Sequence, residues 1–206
     1  MKLVILSDTH CQQCPLPDGD VLIHCGDHTY EGKHVESFEA LNWLNKQPHK
    51  HKLIIAGNHE LGWERESFRE ALLEPFYTLT YLHNTGVEID GIKFWGSPYQ
   101  PFFFDWAFQM KRGAELAANW AQIPDDTDVL ITHGPPYGFG DTCPRSSRFG
   151  DQDLLERVLK VKPTIHCYGH AHDGYGEYFF DGIHFINAAL LNDKYHMQNK
   201  PIEVEI

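Results

Sequence analysis

The chain has 206 residues, of which 17 are Lys or Arg and 29 are Asp or Glu, so its formal net charge is −12 with neutral histidine. This length and a hydrophobic content of 42% exclude global disorder and predict one domain spanning residues 1–206. The negative charge argues against a long nucleic acid or an anionic membrane as partner, because both require a basic surface. A small phosphorylated substrate is compatible with it, since bound metal ions reverse the charge locally.

The N-terminal residues and the cysteines indicate where in the cell the protein is expected. The apolar run at residues 3–6 is too short for a signal-peptide core or a membrane span. The five cysteines are an odd number, which together with the absence of a secretory signal predicts reduced thiols and a cytoplasmic location. Cys11 and Cys14 have the spacing of half a zinc or redox site. The chain has no second such pair, so ordinary loop thiols are the favoured interpretation.

The first part of the chain alternates short apolar runs with amphipathic stretches. Buried strands are predicted at residues 2–6, 21–25 and 53–56, and helices at residues 34–45 and 63–73. Such alternation of strand and helix is typical of an α/β sheet whose first strands are parallel.

The second part of the chain adds hairpins to this pattern. Two Asp-Gly pairs separate apolar runs, and Asp-Gly favours a tight hairpin turn because both residues tolerate a positive φ. The predicted hairpins join 87–89 to 92–95 and 177–180 to 183–186. Further helices are predicted at 106–120 and 152–161, and further strands at 128–132, 164–168 and 201–206. Parallel strands followed by hairpins favour two packed sheets with helices outside.

Metal-binding side chains follow five of the predicted strands, at the edge where open α/β sheets bind ligands. In chain order they are Asp8 and His10, then Asp27, then Asn58 beside His59, then His133, then His170 and His172. Asp and Asn oxygens together with neutral imidazoles suit iron, manganese, zinc or nickel. Each fragment alone also fits a structural hydrogen-bonding role, but all five in order predict a metal site.

This ordered set resembles the calcineurin-like metallophosphoesterase superfamily over nearly the whole chain. Residues 89–101, 132–136 and 168–176 narrow the resemblance to small metallophosphoesterase-domain proteins related to class III cyclic-nucleotide phosphodiesterases. The resemblance implies a four-layer α/β/β/α sandwich of two mixed sheets flanked by helices. It also implies two divalent metal ions, Mn²⁺ or an iron–manganese pair, with Zn²⁺ or Ni²⁺ as possible occupants.

The resemblance assigns a role to each motif position. It implies that the first metal is held by Asp8, His10, Asp27 and His172, and the second by Asp27, Asn58, His133 and His170. A hydroxide bridging the two metals would then be the nucleophile, since metal binding lowers the pKa of water. His59 would contact the phosphate and protonate the leaving oxygen, a role that suits an imidazole. The alternative for His59 is a further ligand or a structural loop residue.

Two further segments are candidates for substrate contacts. Arg145 and Arg148 follow the His133 motif and are candidates for clamping a phosphate oxygen; solvated surface arginines are the alternative. The aromatic run at 102–104 with Trp106 fits either core packing or a lip for a base or an aromatic leaving group. We favour core packing.

The chain also departs from one branch of the family. Protein Ser/Thr phosphatases have different residues at the positions of Tyr30, Glu31 and Ala56, which disfavours a phosphoprotein phosphatase. The departure leaves Glu31 as the candidate for orienting His59. His28, next to the bridging ligand, is expected to line the pocket rather than to bind metal.

The resulting hypothesis is a binuclear metal-dependent phosphodiesterase that acts on cyclic-nucleotide or other nucleotide diesters by in-line attack. A phosphomonoesterase or nuclease on the same site is the nearest alternative. A scaffold that kept the fold and lost the chemistry is the alternative from another class, and it is disfavoured because all seven ligand positions carry competent residues.

Overall fold

The computed structural model describes residues 1–142 and 148–206. The strands in chain order are β1 (Lys2–Leu6), β2 (Val21–His24), β3 (His51–Ile54), β4 (Leu79–Tyr81), β5 (Thr85–Ile89), β6 (Ile92–Ser97), β7 (Gln100–Pro101), β8 (Gln109–Met110), β9 (Val129–Thr132), β10 (Ile165–Tyr168), β11 (Gly176–Phe180), β12 (Ile183–Asn187) and β13 (Ile202–Glu205). The α-helices are α1 (His34–Asn45), α2 (Glu66–Leu73), α3 (Ala114–Trp120) and α4 (Gln152–Val161). Short 3-10 helices span Leu61–Glu64 and His172–Gly174.

The first sheet has the order β13-β1-β2-β3-β4. Strands β1 to β4 are parallel, and β13 closes the edge antiparallel to β1. The strands predicted at 2–6 and 21–25 and the edge strand at 201–206 are found in this sheet. The strand predicted at 53–56 lies two residues earlier, at His51–Ile54, and β4 was not predicted. Because β1, β2 and β3 run in the same direction, the loops that follow them leave from one edge.

The second sheet has the order β11-β12-β10-β9-β6-β5. Its four central strands are parallel, and the outer strands β5 and β11 pair antiparallel with β6 and β12. Both outer pairs are the predicted Asp-Gly hairpins. Asp90 and Gly91 have φ of 49° and 84°, and Asp181 and Gly182 have φ of 51° and 81°. Positive φ at both turn residues matches the twist of the paired strands.

Three apolar layers hold four layers of secondary structure together. The largest joins the two sheets and includes Ile5 and Ile23 from the first sheet and Ile131 from the second, all fully buried. The other two lie between the first sheet and α1 and α2, and between the second sheet and α3 and α4. Burying one such large aliphatic side chain contributes about 1.5–3 kcal/mol. The four-layer α/β/β/α sandwich is confirmed.

Two predicted helices begin later than expected. The helix predicted at 63–73 begins at Glu66, after a separate 3-10 helix at Leu61–Glu64. The helix predicted at 106–120 begins only at Ala114. Gly113 before it has φ of 85° and Phe108 has φ of 51°, both incompatible with helix. Gln100 donates from its amide to the carbonyl of Ala107 at 2.7 Å, so the start of this segment belongs to a loop. Across the described ranges, every helix is too short or too polar to cross a lipid bilayer.

Candidate metal centre

The two sheets present their ligand-bearing strand ends at one edge. Asp8 follows β1 and Asp27 follows β2, while His133 follows β9 and His172 lies in the 3-10 helix beyond β10. The Nε2 atom of His172 lies 3.3 Å from Oδ1 of Asp8. The Nε2 atom of His133 lies 3.3 Å from Oδ2 of Asp27. Each carboxylate from the first sheet therefore meets an imidazole from the second, as the motif order predicts.

The backbone at this edge is strained. Asp8, His10, Asp27 and His170 all have φ between 40° and 64°, a region that non-glycine residues rarely adopt. Such conformations cost about 1–3 kcal/mol each and cluster at functional sites. Gly169 permits the close approach of the sheets, because a Cβ there would lie 2.0 Å from Oδ2 of Asp8.

Backbone carbonyls fix the ring orientation of three proposed ligands. The Nδ1 atoms of His10, His133 and His172 bond the carbonyls of Thr29, Cys25 and Asn192 at 3.0, 2.9 and 2.9 Å. Because a carbonyl oxygen only accepts hydrogen bonds, each Nδ1 must carry a hydrogen. The Nε2 atom of each ring faces a carboxylate of Asp8 or Asp27. The Nε2 atom of His10 is buried without a hydrogen-bond partner. A buried lone pair with no donor facing it is the expected state of an imidazole arranged for a metal.

The donor atoms form two compact groups. Asp8, His10 and His172 make one group, and Asp27, His133 and His170 make the other; within each group the donor atoms lie within 4.8 Å of one another. Oδ1 of Asn58 joins the second group, 2.9 Å from Nε2 of His133 and 2.8 Å from Nδ1 of His170.

A third group connects these two. It contains His10, Asp27 and His59. All seven residues predicted as ligands are thus brought together, and their oxygen and imidazole donors fit divalent cations. Cys11 and Cys14 are free thiols, and no described cysteine belongs to any of these groups.

Burial lowers the pKa of each proposed histidine ligand, whereas nearby carboxylates raise it. Burial lowers the pKa of His170 to about 3 and also lowers that of His10. Burial works the same way at His133 and His172, but there the nearby carboxylates outweigh it and raise the pKa of each to about 9. Neutral imidazoles are ready to ligate, whereas protonated ones must release a proton when metal binds.

The carboxylates are held ionised by the same contacts. Burial alone would raise the pKa of Asp8, but the hydrogen bond and charge of His172 outweigh it and hold that pKa well below its usual range. The pKa of Asp27 is lowered in the same way, against burial, chiefly by His133 and His59. Two ionised carboxylates in a buried site attract cations strongly.

His59 is oriented by the backbone. Its Nδ1 bonds the carbonyl of Tyr30 at 2.7 Å, and its backbone N–H donates to Oδ1 of Asp27 at 2.9 Å. The candidate Glu31 is wrong, because its carboxylate is exposed and pairs with Lys33. A main-chain carbonyl can orient an imidazole as well as an acid does, and the residue type at position 30 gives no sign of it.

Glu60 is a functional residue that the sequence analysis missed. Its fully buried carboxylate accepts from the backbone N–H groups of Asp27, Gly57 and Thr29 at 3.0, 2.7 and 3.0 Å, and from the Thr29 hydroxyl at 2.8 Å. It thereby joins the loops after β2 and β3. The signal available in the sequence was the position of Glu60 directly after Asn58 and His59, in the segment Gly57-Asn58-His59-Glu60.

His28 does not line the cavity as predicted. It is fully buried, 3.6 Å from the carboxylate of Glu60, and its ring stacks on Trp63 with centroids 5.5 Å apart. The side chain of His28 therefore lies in the buried layer beneath the site rather than in the cavity.

A cavity of about 410 Å³ opens over the donor atoms. Trp106 lies against His59 with ring centroids 4.3 Å apart, and Phe149 lies 5.6 Å from His170. Phe103 and Phe104 also line the cavity, and Phe102 beside them is 64% exposed. Core packing of the aromatic run is therefore wrong, and the lip interpretation describes Phe103, Phe104 and Trp106. Tyr195, which the sequence analysis missed, also borders the cavity.

The two arginine candidates have different outcomes. The guanidinium of Arg148 donates to the buried Asp141 carboxylate at 2.9 Å and lies over the ring of Tyr137. Arg148 is not among the residues that line the cavity, so the structure does not bring it to the phosphate site. Arg145 lies outside the described residues.

Comparison with known proteins agrees with the geometry. Human metallophosphoesterase domain-containing protein 1 is 36% identical over 230 residues, which cover 100% of this chain and 71% of that protein. A crystal structure from Thermus thermophilus has a TM-score of 0.63 at 12% identity over 90% of this chain and 88% of that one.

A second solved structure is described as a novel archaeal phosphodiesterase. It has a TM-score of 0.50 at 18% identity, over 98% of this chain and 100% of that one. At these identities the two structures show a shared fold. The family model of calcineurin-like phosphoesterases matches residues 1–174. The chain therefore belongs to the calcineurin-like phosphoesterases, a metal-dependent family of hydrolases acting on phosphoric esters.

Proposed function

We propose that the protein is a binuclear metal-dependent phosphodiesterase. The observation that carries the proposal is a pair of donor groups beside one cavity. The group with Asp8 contributes His172 to the cavity lining, and the group with Asp27 contributes Asp27 and His170. Asp8, His10, Asp27 and His172 would hold one ion, and Asp27, Asn58, His133 and His170 the other. A carboxylate has two oxygens, which is what a bridging position between two ions requires.

The protein's own residues have separate tasks in this proposal. Divalent ions, when bound, polarise the phosphate and lower the pKa of water. The carbonyls that fix His10, His133 and His172 keep these rings in place, so the centre needs little reorganisation. His59 lines the cavity beside Asp27 and donates a proton to the leaving oxygen.

The charges around the cavity favour a diester over a monoester. Asp173 and Asp193 line the cavity beyond the ligands, and no described lysine or arginine lines it. A phosphomonoester can carry a second negative charge; Asp173 and Asp193 repel that charge, and no basic side chain among the described lining residues balances it. The archaeal structural neighbour named a phosphodiesterase and the family branch of the sequence motifs agree with this choice.

Small nucleotide diesters, including cyclic nucleotides, are the substrates we propose. The cavity volume of about 410 Å³ is the size of a small-molecule site. The net charge of −12 disfavours a long nucleic acid. Mn²⁺ or an iron–manganese pair is the proposed occupancy, and the imidazole-rich donor set also suits Zn²⁺ and Ni²⁺.

The test is hydrolysis of bis(p-nitrophenyl) phosphate and p-nitrophenyl phosphate by metal-free protein reloaded with single divalent metals. We expect metal-dependent turnover, faster on the diester, and a loss of about 100-fold in kcat for the His59→Ala variant. The matched control is His34→Ala, an exposed histidine on α1. No turnover with any divalent metal would contradict the proposal, and faster monoester turnover would favour a phosphomonoesterase.

A further inference from the structure

Four aromatic side chains form one border of the cavity, which we call the aromatic wall: Phe103, Phe104, Trp106 and Phe149. The ring centroids of Phe103 and Phe104 are 4.5 Å apart, and those of Phe103 and Phe149 are 5.6 Å apart. Phe104 is 71% exposed and Phe103 is 39% exposed. A cluster of solvent-exposed aromatic rings beside a polar site indicates a surface that binds an apolar group.

The loop that carries Phe103, Phe104 and Trp106 of the wall is fixed by hydrogen bonds. The amide of Gln109 donates to the carbonyl of Phe103 at 2.7 Å, and the backbone N–H of Phe108 donates to Oε1 of Glu64 at 2.8 Å. The N–H of Ala107 donates to the carbonyl of Asn58 at 3.1 Å, which ties the loop to the segment that carries His59. Phe104 has φ of 55°, a strained conformation that this network maintains. A fixed wall binds with little loss of conformational entropy.

The wall lies on the side of the proposed proton donor. Trp106 contacts the ring of His59, with centroids 4.3 Å apart. The cavity border near His172 is more polar. Asp173 and Asp193 line it together with Tyr195, whose ring carries a hydroxyl and has its centroid 5.4 Å from that of His172. An apolar group is therefore accepted beside His59, and a small polar or neutral group beside His172.

We propose that, in an acyclic diester, the aromatic wall binds an aromatic group on the leaving arm, so that the enzyme expels the arm that carries the ring. The inference rests on the proposed phosphodiesterase function. In the reaction a water oxygen forms the new P–O bond and the P–O bond to the aromatic arm breaks. The leaving oxygen takes a proton from His59, and the other arm stays on the product monoester. Water supplies both the oxygen and the protons, so the balance is that of hydrolysis.

Benzyl methyl phosphate tests the choice of arm, because its two alcohols have similar acidity and differ in the ring. We expect benzyl alcohol with methyl phosphate to exceed methanol with benzyl phosphate by about tenfold. The double variant Phe103→Ala/Phe104→Ala should bring the two product pairs close to equal amounts. Phe102→Ala is the matched control, since Phe102 is exposed in the same loop and does not line the cavity. It should keep the wild-type ratio.

A binding measurement separates this inference from the proposed function. Calorimetric titration of metal-loaded wild-type protein should give about tenfold tighter binding of benzylphosphonate than of methylphosphonate. Equal affinities, equal release of the two alcohols, or an equal effect of Phe102→Ala would overturn the role of the wall while leaving the phosphodiesterase in place. Absence of turnover on every phosphodiester, with no binding of either phosphonate, would instead remove the proposed function itself.

Discussion

Asp27 in the ligand cluster is 2% exposed, whereas Phe104 on the aromatic wall is 71% exposed, although both border the same cavity. The ligand cluster, formed by the seven proposed metal ligands, is held by buried hydrogen bonds from both sheets. The wall is held by a loop that packs its rings against one another. A reaction centre needs fixed positions for a few polar atoms, whereas recognition of an apolar group needs open surface. Substitutions should therefore damage the two regions in different ways.

The largest effect is expected from Asp27→Asn. The amide keeps the hydrogen bond from the backbone of His59. It removes the charge that Asp27 brings to its own donor group and to the group that connects it with His10. We expect bound metal to fall below two ions per chain and kcat/KM to fall about 1000-fold, which corresponds to about 4 kcal/mol. Metal analysis and steady-state kinetics measure both. Asp105→Asn, an exposed residue next to the wall, is the control. Two retained ions and activity within tenfold of wild type would contradict the bridging role.

Glu60→Gln tests whether the ligand cluster depends on the layer beneath it. The amide side chain loses one acceptor oxygen, so at least one of the buried N–H groups of Asp27, Gly57 and Thr29 is left without its partner. We expect metal affinity to fall about 10–100-fold, as for other residues that hold ligands indirectly. Competition with a chelator measures it. Glu70→Gln on exposed helix surface should leave the affinity unchanged, and an unchanged affinity in Glu60→Gln would show that the ligands are fixed without this carboxylate.

His166→Gln tests how a buried histidine of β10 makes stability depend on pH. Burial lowers the pKa of His166 to about 3, so below about pH 6.5 the unfolded chain binds a proton that the folded protein does not. Stability is therefore lost as pH falls, by about 3 kcal/mol at pH 4.5 from this residue. Gln retains a donor for the Thr132 hydroxyl and should reduce the loss between pH 7 and pH 4.5 by that amount. Urea unfolding at both pH values measures it. The control variant His34→Gln, at an exposed position, should lose as much stability between pH 7 and pH 4.5 as wild type. If His166→Gln also loses as much as wild type, His166 is not the source of this pH dependence.

The smallest catalytic effect is expected from Arg148→Ala. Its guanidinium pairs with the buried carboxylate of Asp141, so the variant should lose about 1–2 kcal/mol of stability and keep KM within about twofold. Thermal unfolding measures the change in stability, and steady-state kinetics measure the change in KM. A tenfold rise in KM with unchanged stability would return Arg148 to the phosphate-clamping role suggested by its position in the sequence.

Much of the ligand cluster is predictable from sequence because its members follow strands whose ends must meet. Asp8, Asp27 and His133 are placed by strand periodicity, and the Asp-Gly hairpins are placed by local turn chemistry. The carbonyl that orients His59 and the aromatic wall depend on the path of loops after folding. The helical pattern at 106–120 misled for the same reason, since pairing near Gln100 and the positive φ of Gly113 override the local preference.

Anomalous diffraction from crystals of Mn²⁺-loaded protein tests the central claim most directly. We expect two manganese peaks about 3.5–4 Å apart. One should contact Asp8, His10 and His172, the other should contact Asn58, His133 and His170, and both should contact Asp27. A single peak, or two peaks that do not share Asp27, would contradict the binuclear centre.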